Sequence, residues 1–262
     1  MYYMRLIIKL RSMKNCIYDT QYYYHLQSFI YSITKGSEFN YIHDQKNLKF
    51  FCFSNIFPVG DFKIDDARTL IISSPNYNFI DYLYDAFKDK IITKDEIQIN
   101  FMKFNIENVK KIELNANNSS LLITNTPVIV RIPKIKYLKY NIIPSVDYDY
   151  VYWKSEYPID LFLSQIEKNI IKKYEEYSKL NLGYNRKNNN IYESTNFFQQ
   201  FKFKKQISTR ITIREMEQII IGTLWEFVFN PNLDKKLINF ILDVGLGERN
   251  SLGFGFVNLK DK

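Results

Sequence analysis

Gly245-Leu246-Gly247-Glu248-Arg249-Asn250-Ser251-Leu252-Gly253-Phe254-Gly255-Phe256 is the stretch from which the rest of the chain is best read. Four of the eight glycines fall inside it, spaced as G-x-G, five residues, then G-F-G. Upstream, Leu237, Phe240, Ile241 and Val244 recur at i, i+3, i+4 and i+7, the apolar face of a helix. Downstream, Phe256-Val257-Asn258-Leu259 reads as a short final strand. Glycine tolerates positive φ and lets a backbone come close to a ligand. Successive amides in such a loop can line a concave anion site, to which Arg249 adds charge. Phosphate is therefore indicated, but not through the usual nucleotide loops. No G-K-S/T follows the glycines, as a Walker loop requires. Asn250 stands where a dinucleotide fingerprint needs its third glycine, and the helix precedes the loop instead of following it. A tight turn closing a helix accounts for the same glycines.

Composition narrows the class of partner. The 262 residues allow one large or two small domains, and 46% hydrophobic content is enough for a sizeable core. A net charge of +8 fits a polyanion, nucleic acid first and membrane surface second. Twenty-one Tyr and 21 Phe include many core residues, though exposed ones can stack on unpaired bases. Two cysteines, Cys16 and Cys52, imply neither a disulfide framework nor a zinc site, and read as free thiols in a reducing cytoplasm. No apolar run is long enough to span a bilayer, and the opening residues carry no signal-peptide cleavage pattern.

From the N-terminus, residues 3–10 alternate as a strand. Asp19 or Thr20 can cap a helix whose face is Tyr22, Leu26, Phe29, Ile30 and Ile33, ending at Gly36. A loop holds residues 39–46. Strands are expected at 49–54 and 68–73, a helix at 78–90 and a further strand from Ile91. That is β-α-β-β-α-β, the ferredoxin-like order. The second half repeats the theme: a strand-like 121–132 with a break at Pro127, a helix at 160–179, and a polar loop at 181–190. Strands at 201–214 and 219–229 follow, then a last helix with Pro231 in its first turn behind an Asn230 cap. The fold class expected is α+β, two tandem ferredoxin-like (RRM-like) domains. The polar Asn115-Ala116-Asn117-Asn118-Ser119-Ser120 marks their boundary, giving domains 1–118 and 119–262.

The chain has only two histidines. His25 falls beside the apolar face of the first helix and is expected to serve packing. His43 lies in the polar loop before the second strand. In the segment near 201–214, Lys202, Lys204, Arg210, Thr212 and Arg214 share one parity, against Phe201, Phe203, Ile207, Ile211 and Ile213 on the other. One face of that strand is thus basic, a second candidate nucleic-acid surface. No Asp/Glu/His cluster has the look of a metal site, and no cofactor is indicated.

The glycine pattern, lying between a helix and the last strand, resembles the glycine-rich loop of the RAMP superfamily of CRISPR-associated proteins. Gly222-Thr223-Leu224-Trp225-Glu226-Phe227 is similar to the strand that precedes the last helix there. Ile42-His43 followed by Phe50-Phe51-Cys52-Phe53-Ser54 is similar to that superfamily's repeat-RNA endoribonucleases, where an apolar-His pair precedes an aromatic strand ending Phe-Ser. The resemblance implies a catalytic histidine at His43, a lysine six residues later at Lys49, and a first-helix tyrosine, for which Tyr31 is the candidate. It further implies an RNA-binding loop of Gly245, Gly247, Arg249, Asn250, Ser251, Gly253 and Gly255. Basic residues of the C-terminal domain, here Lys202, Lys204, Arg210 and Arg214, would hold a repeat hairpin.

The activity implied is metal-independent cleavage of CRISPR repeat RNA to guide RNAs, leaving 5′-hydroxyl and 2′,3′-cyclic phosphate ends. The chemistry suits these residue types. Attack by a 2′-OH needs a proton taken, a leaving oxygen protonated and a phosphorane stabilised; histidine and lysine supply such groups. The partners implied are repeat RNA and other CRISPR-associated proteins of an interference complex, with a homodimer also open. The rival reading is a non-catalytic RAMP subunit that binds guide RNA, keeping the glycine loop without need of His43. An RRM-type RNA-binding module is the third, and the absent aromatic RNP signature speaks against it.

Overall fold

The computed structural model of the protein describes residues 4–19, 21–44, 48–114, 116–144, 148–182, 196–213 and 216–260. It divides into two compact units. One comprises Met1–Asn115 with Arg210–Gln218 and Asn250–Gly253; the other comprises Ala116–Thr209, Ile219–Arg249 and Phe254–Lys262.

The first unit runs β1 (Met4–Ser12), α1 (Tyr22–Thr34), the one-turn α2 (Tyr41–Asp44), β2 (Cys52–Phe53), β3 (Ala67–Ser74), α3 (Tyr77–Thr93), β4 (Ile97–Ile99) and β5 (Met102–Glu113). Its sheet has the order β2-β3-β1-β5-β4, with β1 antiparallel to both β3 and β5. With β5 as the last main strand, this is the ferredoxin-like order. Alternation along β1 places Leu6, Ile8 and Leu10 on one buried face. Leu26 and Ile30 of α1, with Phe79, Ile80, Leu83 and Phe87 of α3, complete this core.

Two boundaries differ from the sequence reading. The segment from Ile91 is not a strand: α3 runs on to Thr93 and stops where Lys94 takes a left-handed conformation, φ 58°. Ile91 continues the four-residue spacing from Phe87, so the helical period wins and the strand is supplied by β5. At 49–54 only Cys52 and Phe53 pair with β3, opposite Ser73 and Ile72. His25, expected to pack, is exposed on α1, one position off the buried stripe of Tyr22, Leu26 and Ile30.

The second unit runs β6 (Leu122–Thr124), β7 (Arg131–Pro133), a 3-10 helix (Lys134–Tyr140), β8 (Tyr150–Tyr152), α4 (Ile159–Leu182), β9 (Phe198–Ile213), β10 (Met216–Phe229), α5 (Lys235–Val244) and β11 (Val257–Leu259). The order β11-β6-β10-β9 is again ferredoxin-like, with β7 and β8 forming a separate two-stranded insertion. Pro127 does break the strand-like run between β6 and β7. Trp225 centres an aromatic core, with Phe201 at 4.4 Å, Phe162 at 4.7 Å and Trp153 at 5.7 Å between ring centroids. The expected cap at Asn230 is replaced by Asp234, whose carboxylate accepts from the Lys236 amide at 2.8 Å. Asn230 instead turns the chain, its side chain accepting from the Asn232 amide. The expected loop at 181–190 falls, from 183 on, outside the described residues.

Candidate active site

Tyr31, His43 and Lys49 come together in the first unit, each delivered by a different element. Tyr31 lies on the half-buried flank of α1, one helical turn beyond Gln27, so both project from the same face. His43 sits on α2, not in an irregular loop: Phe39 and Ile42 are buried and anchor the turn, and the His43 amide donates to Asn40 O at 3.1 Å. Its exposed imidazole stands edge-on to the Tyr31 ring, centroids 5.3 Å apart and planes at 89°. Lys49, in the extended approach to β2, donates its ammonium to the Tyr31 hydroxyl at 2.8 Å and to the His43 carbonyl at 3.2 Å. The same ammonium lies 4.6 Å from the Tyr31 ring centroid. Buried Phe51 backs Tyr31 at 6.1 Å.

The tip of the glycine loop joins this cluster. Asn250–Leu252 form a single 3-10 turn, and the Gln27 amide donates to both Ser251 O at 2.9 Å and Ser251 Oγ at 3.0 Å. Burial pushes the Tyr31 phenol above its ordinary range, and the Ser251 side chain opposes that shift in part. The cluster therefore presents an accessible imidazole, an ammonium and a phenol that stays protonated near neutrality. Those groups can move a proton and offset developing negative charge. Among the described residues no three His, Cys, Asp or Glu side chains are placed to hold a metal ion.

The glycines answer first to packing. A Cβ on Gly247 would meet Ile129 O at 2.4 Å, and one on Gly253 would meet the Phe53 ring at 2.2 Å; both sit at positive φ, +70° and +82°. The expectation of open amides along the loop is corrected at three positions. Gly245 donates to Ile241 O, Gly253 to Asn250 O and Gly255 to Pro127 O, so these donors are already used. The carbonyls of Gly245 and Gly247 accept from Lys173, a buried lysine on α4, at 2.9 and 2.8 Å. Arg249 adopts a left-handed conformation, φ 58°, and Asn250 is buried.

Two basic residues of β9 meet carboxylates within their own units. Lys202 is exposed. Lys204 pairs with Glu226 at 2.8 Å, a carboxylate that Lys260 shares at 2.9 Å, and Arg210 pairs with Glu217 at 3.2 Å. Part of the expected positive face is thus offset by neighbouring carboxylates. Arg214 lies outside the described residues. The apolar parity behaves as expected at Phe201 and Ile211, which pack inward.

Gln27 and Lys173 are not singled out by the sequence reading. Lys173 left a usable trace: it interrupts the stripe Ile166, Ile170, Tyr177 at helical spacing, and a lysine on a buried face demands a partner.

Comparison with known proteins bears on the whole chain. The family model described as CRISPR associated protein Cas6, C-terminal, matches residues 107–259. The chain is 31% identical over 270 residues to CRISPR-associated endoribonuclease Cas6 2 of Methanocaldococcus jannaschii, covering 97% of this chain and 99% of that protein. It is 24% identical over 265 residues to CRISPR-associated endoribonuclease Cas6 of Haloferax mediterranei, covering 99% and 94%. Among solved structures, one titled as a Cas6-related gene from Pyrococcus furiosus superposes with a TM-score of 0.71 at 20% identity over 99% of both chains. At that identity the likeness bears on the fold.

Proposed function

Because this chain belongs to the Cas6 family of CRISPR-associated proteins, we propose that it is an endoribonuclease that cleaves CRISPR repeat RNA into guide RNAs. The observation that carries the reading is the meeting of Tyr31, His43 and Lys49 in one cluster. The reaction is transesterification without a metal. The 2′-hydroxyl upstream of the cut attacks the adjacent phosphorus, the 5′-oxygen leaves with a proton, and the products carry 2′,3′-cyclic phosphate and 5′-hydroxyl ends. His43 moves a proton, Lys49 stabilises the phosphorane, and Tyr31 supplies a neutral hydroxyl. The chain acts in the cytoplasm as two tandem domains, 1–118 and 119–262, on its own or beside other CRISPR-associated proteins. Arg249 and the loop tip hold RNA, with Lys202, Lys204, Arg210 and Arg214 as a second basic surface. The exposed imidazole beside the Tyr31 and Lys49 pair favours cleavage over the reading as a silent RNA-binding subunit.

The test is incubation of the protein with its repeat RNA in the presence of EDTA, followed by analysis of the ends. A single cut with a cyclic phosphate supports the reading, and a 2′-deoxy substitution just upstream of the cut should abolish it. Binding without any cut would instead favour the silent subunit.

A further inference from the structure

We propose that the outward face of the two-stranded insertion, β7 with β8, is a subsite for unpaired nucleotides of the repeat RNA, with Arg131 as the phosphate contact and Tyr150 as a stacking platform. The subsite rests on the reading of the chain as a binder of repeat RNA, and it lies outside both the glycine loop and β9.

Strand register fixes the face. Ile132 pairs with Val151, and both are buried. Side chains alternate along a strand, so Arg131 and Pro133 of β7 occupy the opposite face, with Tyr152 and Tyr150 directly across from them. Tyr150 is 56% exposed, and Tyr148, just before β8, is more open still. The core is closed on the Ile132 side, and the Tyr150 ring is left to solvent. An exposed tyrosine ring offers an unpaired base a face to stack on.

The guanidinium on that face is held in place. Glu248 accepts from the Arg131 amide at 3.1 Å with one carboxylate oxygen and from Arg131 Nε at 2.6 Å with the other. Glu248 is itself fixed, its amide donating to Ile129 O at 2.9 Å. The bond at Nε leaves the N–H groups of Nη1 and Nη2, which meet no acceptor among the described residues, and the side chain is 42% exposed. A planar fork with one edge anchored and the other open suits phosphate oxygens. Glu248 cancels the arginine charge, so the contact acts at short range and through direction. It therefore suits a strand already held beside it by stacking. A phosphate donor next to an exposed ring is how single strands are held without reading their sequence. A duplex offers phosphates but buries its base faces in the stack, so unpaired RNA is the better fit.

The test is affinity for repeat RNA, blocked at the cut by a 2′-deoxy substitution, with variants whose circular dichroism spectra match the wild type. Tyr150→Ala should weaken binding by about 5–100-fold, the size expected for one lost base stack. Tyr150→Phe keeps the ring and should bind like the wild type. Neither changes a charge, so the slope of log Kd against log salt should stay the same. Arg131→Gln combined with Glu248→Gln leaves the net charge at +8. A loss of about 10-fold in that double variant therefore reports the guanidinium contact and not charge. A fully paired RNA of the same length should bind Tyr150→Ala and wild type alike. Wild-type affinity in Tyr150→Ala or in the double variant, a Phe variant as weak as the Ala one, or an equal loss on the duplex overturns the proposal. If the wild type binds repeat RNA and never cuts it, the catalytic reading fails and the Tyr150 comparison still decides the subsite; if it binds no repeat RNA, both fall.

Discussion

Lys173, 2% exposed on α4, holds the carbonyl of Gly247 at 2.8 Å, and its ammonium reaches the Gly245 carbonyl as well. A buried lysine is thereby tied to the entry of the glycine loop. Lys173→Met keeps most of the stem and removes the donors. Two buried carbonyls would each lose a partner at about 1–3 kcal/mol, while removal of a desolvated charge offsets part, so a net loss of about 1–3 kcal/mol is expected. Urea unfolding measures it; an unchanged midpoint and slope would show that the contact contributes nothing.

His43→Ala should lower single-turnover cleavage by about 10²–10⁴-fold, as loss of a proton-transfer group does, while repeat-RNA affinity stays within a few-fold. The anchoring side chains Phe39 and Ile42 are untouched, so the circular dichroism spectrum should be unaltered. Wild-type turnover by this variant would remove His43 from the chemistry.

Lys49→Ala and Tyr31→Phe separate two roles of one contact. If Lys49 offsets charge in the transition state, its loss lowers the rate more than the affinity. A loss of affinity alone would make it a phosphate-positioning residue. Tyr31→Phe keeps the ring against His43 and Phe51 and deletes only the hydroxyl to which Lys49 donates. Burial raises the Tyr31 pKa above its ordinary value of 10. The rate profile of the wild type should therefore show no alkaline limb from Tyr31 at that pH, and Tyr31→Phe should leave the shape of the profile near neutrality unchanged.

Gly253→Ala tests the fit of the loop tip against β2. The added methyl would lie 2.2 Å from the Phe53 ring at a φ of +82°. Left-handed strain costs about 1–2 kcal/mol and overpacking about 1–3 kcal/mol more. Phe53→Leu in the same chain should recover only the second part, so a double-mutant cycle should give a favourable coupling. Costs that simply add would place the strain elsewhere.

Glu226 accepts from Lys204 and Lys260, and these bonds hold its carboxyl down to about 2 against an ordinary 4.5. The folded chain therefore takes up this proton later than the unfolded chain as pH falls. The resulting stability is complete above pH 4.5 and is lost as pH drops toward 2. Thermal melts of Glu226→Gln should show a shallower acid decline than wild type over that window. Parallel curves would mean that other carboxylates account for the decline.

What sequence could reveal here was local or periodic. The stripe on α1, the alternation on β1 and the glycine spacing each leave a repeating trace, and both ferredoxin-like orders follow from them. His43 and Lys49, six residues apart, follow from one short motif and its family resemblance, and Tyr31 from the same resemblance as a first-helix tyrosine. Gln27 follows from neither, because a hydrogen bond across 224 residues imposes no period on either end. The misplaced strand at Ile91 arose where β-branched residues satisfied two periods at once, and tertiary packing chose the helical one. The glycines were read as room for a ligand, whereas Gly253 and Gly247 make room for Phe53 and Ile129. A sequence shows that space is needed and does not show what fills it.

The grouping of Asn250–Gly253 with the N-terminal elements gives the candidate site a history in time. Translation at about 5–20 residues per second puts roughly 10–45 s between the synthesis of Gln27 and that of Ser251. During that interval α1 and its sheet can form, with Lys49 within reach of Tyr31, but with no Ser251 for the Gln27 amide to hold. A ribosome that stalls before codon 251 leaves a product in which the Gln27 amide has no serine to hold and the tip of the glycine loop is missing from the candidate site.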